Sequence, residues 1–591
     1  MSQHQYLTAP IASEEMPKGI PYIIGNEAAE RFSFYGMKGI LTIFMTKYLF
    51  LMGTTAGTPM ERTEAIARYH DFTSLVYLTP VLGSFLADTI LGKYRTILSL
   101  SIVYCLGHFT LAFMGNSGMS AENWMLTGLY LIALGSGGIK PCVSAHVGDQ
   151  FGKTNGHLLS KVFGWFYISI NVGAAASTLA TPLLLEWYGP HWAFGIPGVL
   201  MALATVLFWM GRKIFVHIPP RGKDFLKDTF SMEGILTVSK LFVIFAFVAV
   251  FWALFDQTGS SWVLQAEDLD RNWLGVNWLS SQIQAVNPVM IVTLVPLFTY
   301  VIYPAIDKVF PLTPLRKIAI GLFVMVPGFA IVAMLQSWID GGQTPSIAWQ
   351  IFAYAVLTAA EVMVSITCLE FAYTQAPVSM KSVVMALFLF SVSLGNYFTA
   401  GVNKFILVDS GHVSSVTETT KELIGVADKR VRFYFDENET KLPRTEQGAE
   451  LVKADVDEWG TPLQYRMINR NTYKLVSLGA DKEAMTPDDI VHQVTISRPA
   501  LNQENVDKPH TWREKRLIAL LGDKGRQQVE RERGGVPTIE FDASLFVGGQ
   551  TKLEGAAYFW FWTWTMLGTA ILFVLAALWY KPKTYLQEEG S

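Results

Sequence analysis

The sequence is short of charge. Lys, Arg, Asp and Glu make up 16% of its 591 residues, while 51% are apolar. A chain this long with so little charge, and with its apolar residues in long blocks, does not belong among soluble proteins; the composition places it in a lipid bilayer. Its formal net charge is only −3 and it has no basic tract, so nucleic acid is excluded as a partner. Only three cysteines occur, Cys105, Cys142 and Cys368, all inside apolar stretches. That leaves no disulfide framework and no metal-ligand spacing, and the three read as small buried residues. The charge-rich region over 409–553 has no phosphate loop, nucleophile elbow or His-rich spacing, and neither an enzyme nor a cofactor is expected. No small-residue cleavage pattern follows the first apolar stretch, which therefore reads as a retained span.

What is present is a series of apolar stretches of the length that crosses a bilayer, about 20 residues of helix at 1.5 Å each. Six fall near 21–51, 72–91, 96–115, 123–146, 162–186 and 191–211, and six more near 240–261, 284–304, 316–337, 347–374, 380–408 and 556–580. In lipid each backbone N–H and C=O must be satisfied within its own segment, so every stretch is expected to be a helix. The twelve divide into an N-terminal bundle over 1–211, a linker over 212–239, spans seven to eleven over 240–408, and a last span with its tail over 554–591. Lys93, Arg95, Lys153, Lys161, Arg212, Lys213, Arg316 and Lys317 gather in loops on one side, against Lys47, Arg62, Arg68 and Arg271 on the other. Both termini are accordingly expected in the cytoplasm. Helical spans point to a bacterial inner (plasma) membrane, and a single copy is expected to suffice.

Residues 409–553 are different: about half of the chain's charged residues lie there, and no span-length apolar run does. They read as a soluble insertion on the outer, periplasmic face. Alternation over Val431–Phe435, Leu463–Ile468 and Val491–Ile496 predicts strands, and Trp512–Leu521 predicts a helix, giving a β-rich module.

Charge inside a span costs at least about 2.5 kcal/mol, so each such residue must face protein or water. The first span holds Glu27, Glu30, Arg31 and Lys38, which stack on one helical face with Tyr35 beside them. His70 falls in the second span, Lys140 in the fourth, Asp256 in the seventh, and Glu361 and Glu370 in the tenth. His70 can change charge near neutral pH. Asp256 can report the presence of a cationic partner through its proton, because burial and a neighbouring cation push a carboxyl in opposite directions. Glu361 and Glu370, nine residues apart, fall half a turn out of phase, so only one can face a central cavity unless the helix kinks. Aromatic and polar side chains at helical spacing accompany the charges: Tyr77 follows His70, Tyr167 precedes Asn171, and Trp252 precedes Asp256.

Three stretches carry a family resemblance: EAAERFSFYG from Glu27 to Gly36, GSFLADTILGKYRTI from Gly83 to Ile97, and FGWFYISINVG from Phe163 to Gly173. With them the chain resembles the proton-dependent oligopeptide transporter family of the major facilitator superfamily. FWALFDQ from Phe251 and CLEFAYTQAP from Cys368 are similar to its animal members.

The resemblance implies an all-α membrane fold of two six-helix bundles, and a symporter that imports di- and tripeptides with protons by alternating access. Transport of nitrate, amino acids or another small solute, and a non-transporting peptide sensor, stand as alternatives. By the same resemblance Glu27, Glu30, His70 and Asp256 would couple protons. Glu370 would hold the peptide amino terminus, and Arg31 and Lys140, with Tyr35 and Tyr77, its carboxylate. Asn171 and Asn287 would bond its backbone, and Tyr167, Trp252 and Phe388 would bound the side-chain pockets. Lys38 with Asp256 would form the outer gate and Lys140 with Glu370 the inner one. Lys38 stands where the family usually has Arg, Phe34 replaces a Tyr, and Phe388 replaces a Trp.

Overall fold

The computed structural model describes residues 6–115, 118–220, 222, 231–375, 381–409, 416–497, 508–533 and 539–581. Most of the linker between the halves, with Arg221, Lys223 and Lys227, lies outside them, as does Pro377. The N-terminal half consists of α1 (Ile20–Lys47), α2 (Arg62–Leu86), α3 (Lys93–Ala112), α4 (Ala121–Gly148), α5 (Leu159–Tyr188) and α6 (Pro190–Met210). The C-terminal half follows with α7 (Met232–Phe255), α8 (Val286–Leu297), α9 (Pro314–Asp340), α10 (Ala348–Glu361) and α11 (Lys381–Ile406). A π turn at Val362–Ile366 carries α10 on into Thr367–Gln375.

Among the described residues eleven helices are long and apolar enough to cross a bilayer. Helix α1, at 28 residues, has the length but holds Glu27, Glu30, Arg31 and Lys38 within it. The second helix begins ten residues before its apolar run, at Arg62, because the Glu61 carboxylate accepts from the backbone N–H of Thr63 at 2.5 Å and Glu64 at 3.1 Å. A capped polar turn needs no apolar sequence where it stands outside the hydrocarbon.

Each half buries its own apolar core, one centred on residues such as Phe34, Tyr104 and Phe194, the other on Phe251, Trp262 and Tyr354. Close packing inside the first half rests on absent side chains: a Cβ on Gly173 of α5 would stand 2.6 Å from the Ala28 carbonyl oxygen of α1. The halves meet where α2 lies along α11 and α5 along α8.

Between α11 and the last long helix the chain builds a separate module. Helices α12 (Glu418–Glu437) and α13 (Thr445–Val452) precede strands β1 (Gln464–Asn469), β2 (Thr472–Ser477) and β3 (Ile490–Ser497). After α14 (Trp512–Leu521) and α15 (Asp523–Glu532) come β4 (Glu540–Val547) and then α16 (Ala556–Trp579). The four strands form one antiparallel sheet in the order β1-β2-β3-β4. Among the module's described residues helical ones outnumber those in strands, so it is α+β rather than β-rich. Val431–Phe435, expected as a strand, lies in α12. Its neighbours Ile424 and Ala427 extend the period to that of a helix whose buried stripe runs Ile424, Ala427, Val431, Phe435. Tyr473, Arg432 and His492 converge on Asp428. Burial pushes that carboxyl up, but His492 close by, the bond it accepts from Tyr473 and the Arg432 guanidinium outweigh burial and hold it below its usual range.

The module stands on both halves. Arg516 of α14 donates to the carbonyls of Leu51 at 3.0 Å and Gly53 at 2.8 Å, and Leu517 and Val529 share a small core with Leu51. On the other side Lys474 of β2 pairs with Glu554 at 2.8 Å, and Met467 of β1 packs on Gly342. Gly189, φ +87°, ψ 178°, joins α5 to α6, and the Trp512 ring occupies the space where its Cβ would be. Gly189→Ala therefore both strains the backbone, by about 1–3 kcal/mol, and evicts the ring. It is expected to raise the rate of limited proteolysis within the module severalfold.

Candidate functional site

The two signs of charge on α1 sort into two clusters. In the first, Arg31 Nε donates to Glu27 Oε1 at 2.7 Å and lies 3.4 Å from Glu30 Oε2. Lys140, brought over by α4, stands 3.8 Å from Glu30 Oε1, and Ser136, one turn before it, donates to the same oxygen at 3.2 Å. Lys140 Nζ has no hydrogen-bond partner and rests 3.8 Å from the centre of the Phe34 ring. The Tyr-to-Phe departure in the motif thus supplies an aromatic face to a buried ammonium. Two acids and two bases here are stacked on neighbouring helices of one half.

The second cluster joins the halves. Lys38 of α1 meets Asp256, at the end of α7, at 2.8 Å, and both are buried. The other Asp256 oxygen accepts from Asn396 Nδ2 at 2.7 Å, while Asn396 Oδ1 lies 2.6 Å from His70 Nδ1 and His70 Nε2 lies 2.9 Å from Ser260 Oγ. An amide carbonyl only accepts, so Nδ1 of His70 carries its proton. The result is a continuous chain, Lys38–Asp256–Asn396–His70–Ser260, in which Asn396 of α11 ties the titratable groups together. Asn396→Ala would leave a nitrogen of His70 and an oxygen of Asp256 buried without partners, at about 1–3 kcal/mol each. The melting midpoint in detergent is expected to fall by a few degrees; an unchanged midpoint would show that the chain is not tied there.

Beside the second cluster lies a cavity of about 200 Å³ whose lining includes Tyr35, Lys38, Tyr167, Asn171, Asp256, Asn287 and Glu361, and none of Glu27, Glu30, Arg31 and Lys140. Asn287 donates to Glu361 Oε2 at 2.6 Å and to Thr358 Oγ1 at 3.1 Å. No described Lys or Arg lies within ion-pair distance of Glu361, which is thus a carboxylate held by a neutral amide. Among the described residues three further ion pairs cross between the halves, Lys47 with Glu267, Arg62 with Asp268 at 2.8 Å, and Lys404 with Asp71 at 2.7 Å. All lie toward the module. At that end the halves are locked together.

Other expected residues fall elsewhere. Trp252 and Phe388 pack edge to face, with ring centres 6.3 Å apart, in the core of the second half, outside the cavity lining. Tyr77 stands 5.9 Å from Lys140, between the two cores. Lys140 and Glu370 are not brought together: the acid beside Lys140 is Glu30, and Glu370 is exposed. Glu361 was one of two acids weighed for a central cavity but was given no role, and Asn396 and Ser260 were absent from the expected site. A buried acid in the tenth apolar stretch and an amide in the eleventh were the signals available, and neither sign nor spacing ranks them above their neighbours.

The POT family model matches residues 94–239 and 231–418. The chain belongs to the POT family. It is 38% identical over 362 residues to peptide transporter family 1 of Drosophila melanogaster, covering 54% of this chain and 48% of that protein. To solute carrier family 15 member 2 of Mus musculus it is 36% identical over 407 residues, 61% of this chain and 54% of the relative. The match thus spans about half the length of these curated relatives. A crystal structure of the POT family transporter PepTSo superposes with a TM-score of 0.61 at 36% identity, over 70% of this chain and 93% of that one.

Proposed function

We propose that this chain is a proton-coupled symporter that imports di- and tripeptides by alternating access. On this reading it has no enzymatic activity and works as a single copy in a bacterial inner (plasma) membrane. Helix α1 is the first of twelve spans in two six-helix bundles, the termini are cytoplasmic, and the module stands on the outer face. The observation that carries the reading is the polarity of the cavity. Of the charged residues that line it, Lys38 comes from the first half and Asp256 and Glu361 from the second, and Arg31 and Lys140 lie in the first half outside the lining. A small zwitterion bridges such a cavity, its carboxylate toward the first half and its ammonium toward Glu361. Asn171 and Asn287 offer bonds to its backbone, so side chains are read weakly. Glu361 here takes the part that the resemblance alone would give to Glu370.

Protonation of Asp256 removes the charge that holds Lys38, and Asn396 passes the change to His70, which unlocks the outer end. On the inner side a peptide carboxylate that engages Arg31 and Lys140 draws them from Glu27 and Glu30, and the freed carboxylates take or release the proton. Each 100 mV of membrane potential supplies about 2.3 kcal/mol per charge moved, enough to concentrate substrate roughly fiftyfold.

The test is uptake of labelled dialanine into proteoliposomes under an inward proton gradient, with tripeptides, free amino acids and nitrate as competitors. Accumulation abolished by a protonophore and competed by tripeptides alone is expected. Equal competition by nitrate or amino acids would overturn the substrate, and binding without counterflow would make the protein a sensor.

A further inference from the structure

Above the locked end, between it and the module, lies a second cavity of about 630 Å³, three times the volume of the central one. Its roof is the sheet, through residues such as Asn469, Lys474 and Gln493, and its floor holds Lys47, Arg62, Glu267 and Asp268. We infer that this vestibule is a second peptide site, which receives the zwitterion already turned as the central cavity needs it. The inference rests on the peptide reading above.

The other charges of the vestibule are satisfied within their own side. Glu61 caps α2, Asp340 accepts from the Ala556 N–H at the start of α16 at 2.8 Å, and Lys474 pairs with Glu554. Among the described residues the ion pairs that cross this cavity from one half to the other are Lys47–Glu267 and Arg62–Asp268, beside a neutral hydrogen bond of 3.0 Å between the Thr63 and Thr551 hydroxyls. When the halves part, Lys47 and Arg62 leave with the first half and Glu267 and Asp268 with the second. Glu267 keeps Arg271 3.6 Å away, but Asp268 and Arg62 have no other ion partner. The polarity is that of Lys38 and Asp256 below. Asp71 and Lys404 have the opposite hand, but they are not part of this cavity's lining.

A peptide held there places its carboxylate by Arg62 and Lys47 and its ammonium by Asp268. The buried Asn403 Oδ1, which lines the wall and has no partner, can accept from a peptide amide. Arg62 is half exposed, so the site is weak and screened by salt. It concentrates and orients rather than retains.

The experiment reverses the field while keeping the lock: Arg62→Asp with Asp268→Arg still pairs across the seam. At about 50 mM salt the reversed pair is expected to raise the KM for dialanine about fivefold with the maximal rate within twofold of the parent, and the difference should vanish at about 1 M salt. The neutral pair Arg62→Gln with Asp268→Asn should fall between. In the parent protein KM itself should rise with salt, a measurement that needs no variant. A salt-independent parental KM, or a reversed pair with the parental KM at low salt, would overturn the vestibule site while leaving peptide transport intact. Failure of the parent to accumulate dialanine would instead remove the reading on which it rests.

Discussion

Asp256→Asn is expected to abolish accumulation of dialanine, leaving less than about one per cent of the parental gradient-driven uptake. The substitution keeps the shape of the side chain and its bond with Asn396 but leaves Lys38 buried opposite a neutral amide. Removing one partner of a buried ion pair costs about 3–5 kcal/mol, because the remaining charge is neither hydrated nor compensated. Here that cost falls on the state in which the module-bearing end is locked, so its population drops more than a hundredfold. A transporter that cannot close its outer end cannot move substrate uphill. Lys38→Met with Asp256→Leu separates closure from coupling. With both charges gone the locked state regains its apolar packing, and exchange of labelled for unlabelled peptide should return without accumulation. Uphill, pH-driven uptake by Asp256→Asn in proteoliposomes would show that the pair is not the coupling element.

The second large effect is expected at Glu361. A charge-assisted bond between a carboxylate and an ammonium contributes about 1.5–3 kcal/mol. Glu361→Gln should therefore raise the KM for dialanine roughly ten- to a hundredfold. N-acetyl-dialanine, which has no ammonium to lose, should bind the variant and the parent alike. Glu370→Gln should change the dialanine KM by less than about threefold. The contrast follows from the path of α10. Nine residues on an ideal helix put the two acids on opposite faces, but the π turn at Val362–Ile366 takes in about one extra residue and withdraws about 100° of that phase. What separates them is distance along the axis, about 13 Å at 1.5 Å per residue. Glu361 stands level with Lys38 and Tyr167 in the cavity wall, and Glu370 is exposed, nearer the other end. Equal effects of the two substitutions would mean that the peptide reaches both levels, and would sink Glu361 as the single anchor of the ammonium.

Trp512–Leu521 was legible as a helix because Thr511 and Glu514 form a capping box just before an apolar stretch, a signal wholly local in sequence. Val431–Phe435 misled because five residues of alternation fit a strand as well as a helix, and only the buried partners of α12 select between them. Lys38 and Asp256 could each be recognised as costly charges in lipid, and their encounter at 2.8 Å joins residues 218 positions apart. Asn396 carried no comparable mark. A neutral amide in an apolar helix is inexpensive, and it acquires a role only by standing between Asp256 and His70.

By itself the sequence determined that this chain lies in a bilayer, which of its stretches are long and apolar enough to cross it, and that the charges inside them must face one another or water. Those are matters of composition and of length against the thickness of hydrocarbon, and each is settled within one segment. Only the tertiary structure decided which acid answers which base: Glu30 rather than Glu370 beside Lys140, Glu361 rather than Glu370 in the cavity. Such pairings depend on how far along its axis each helix carries a residue, and on a π turn that no hydrophobic period announces. The charge of a side chain is written in the sequence, but the level at which it meets its partner is set by the packing of the helices that carry them.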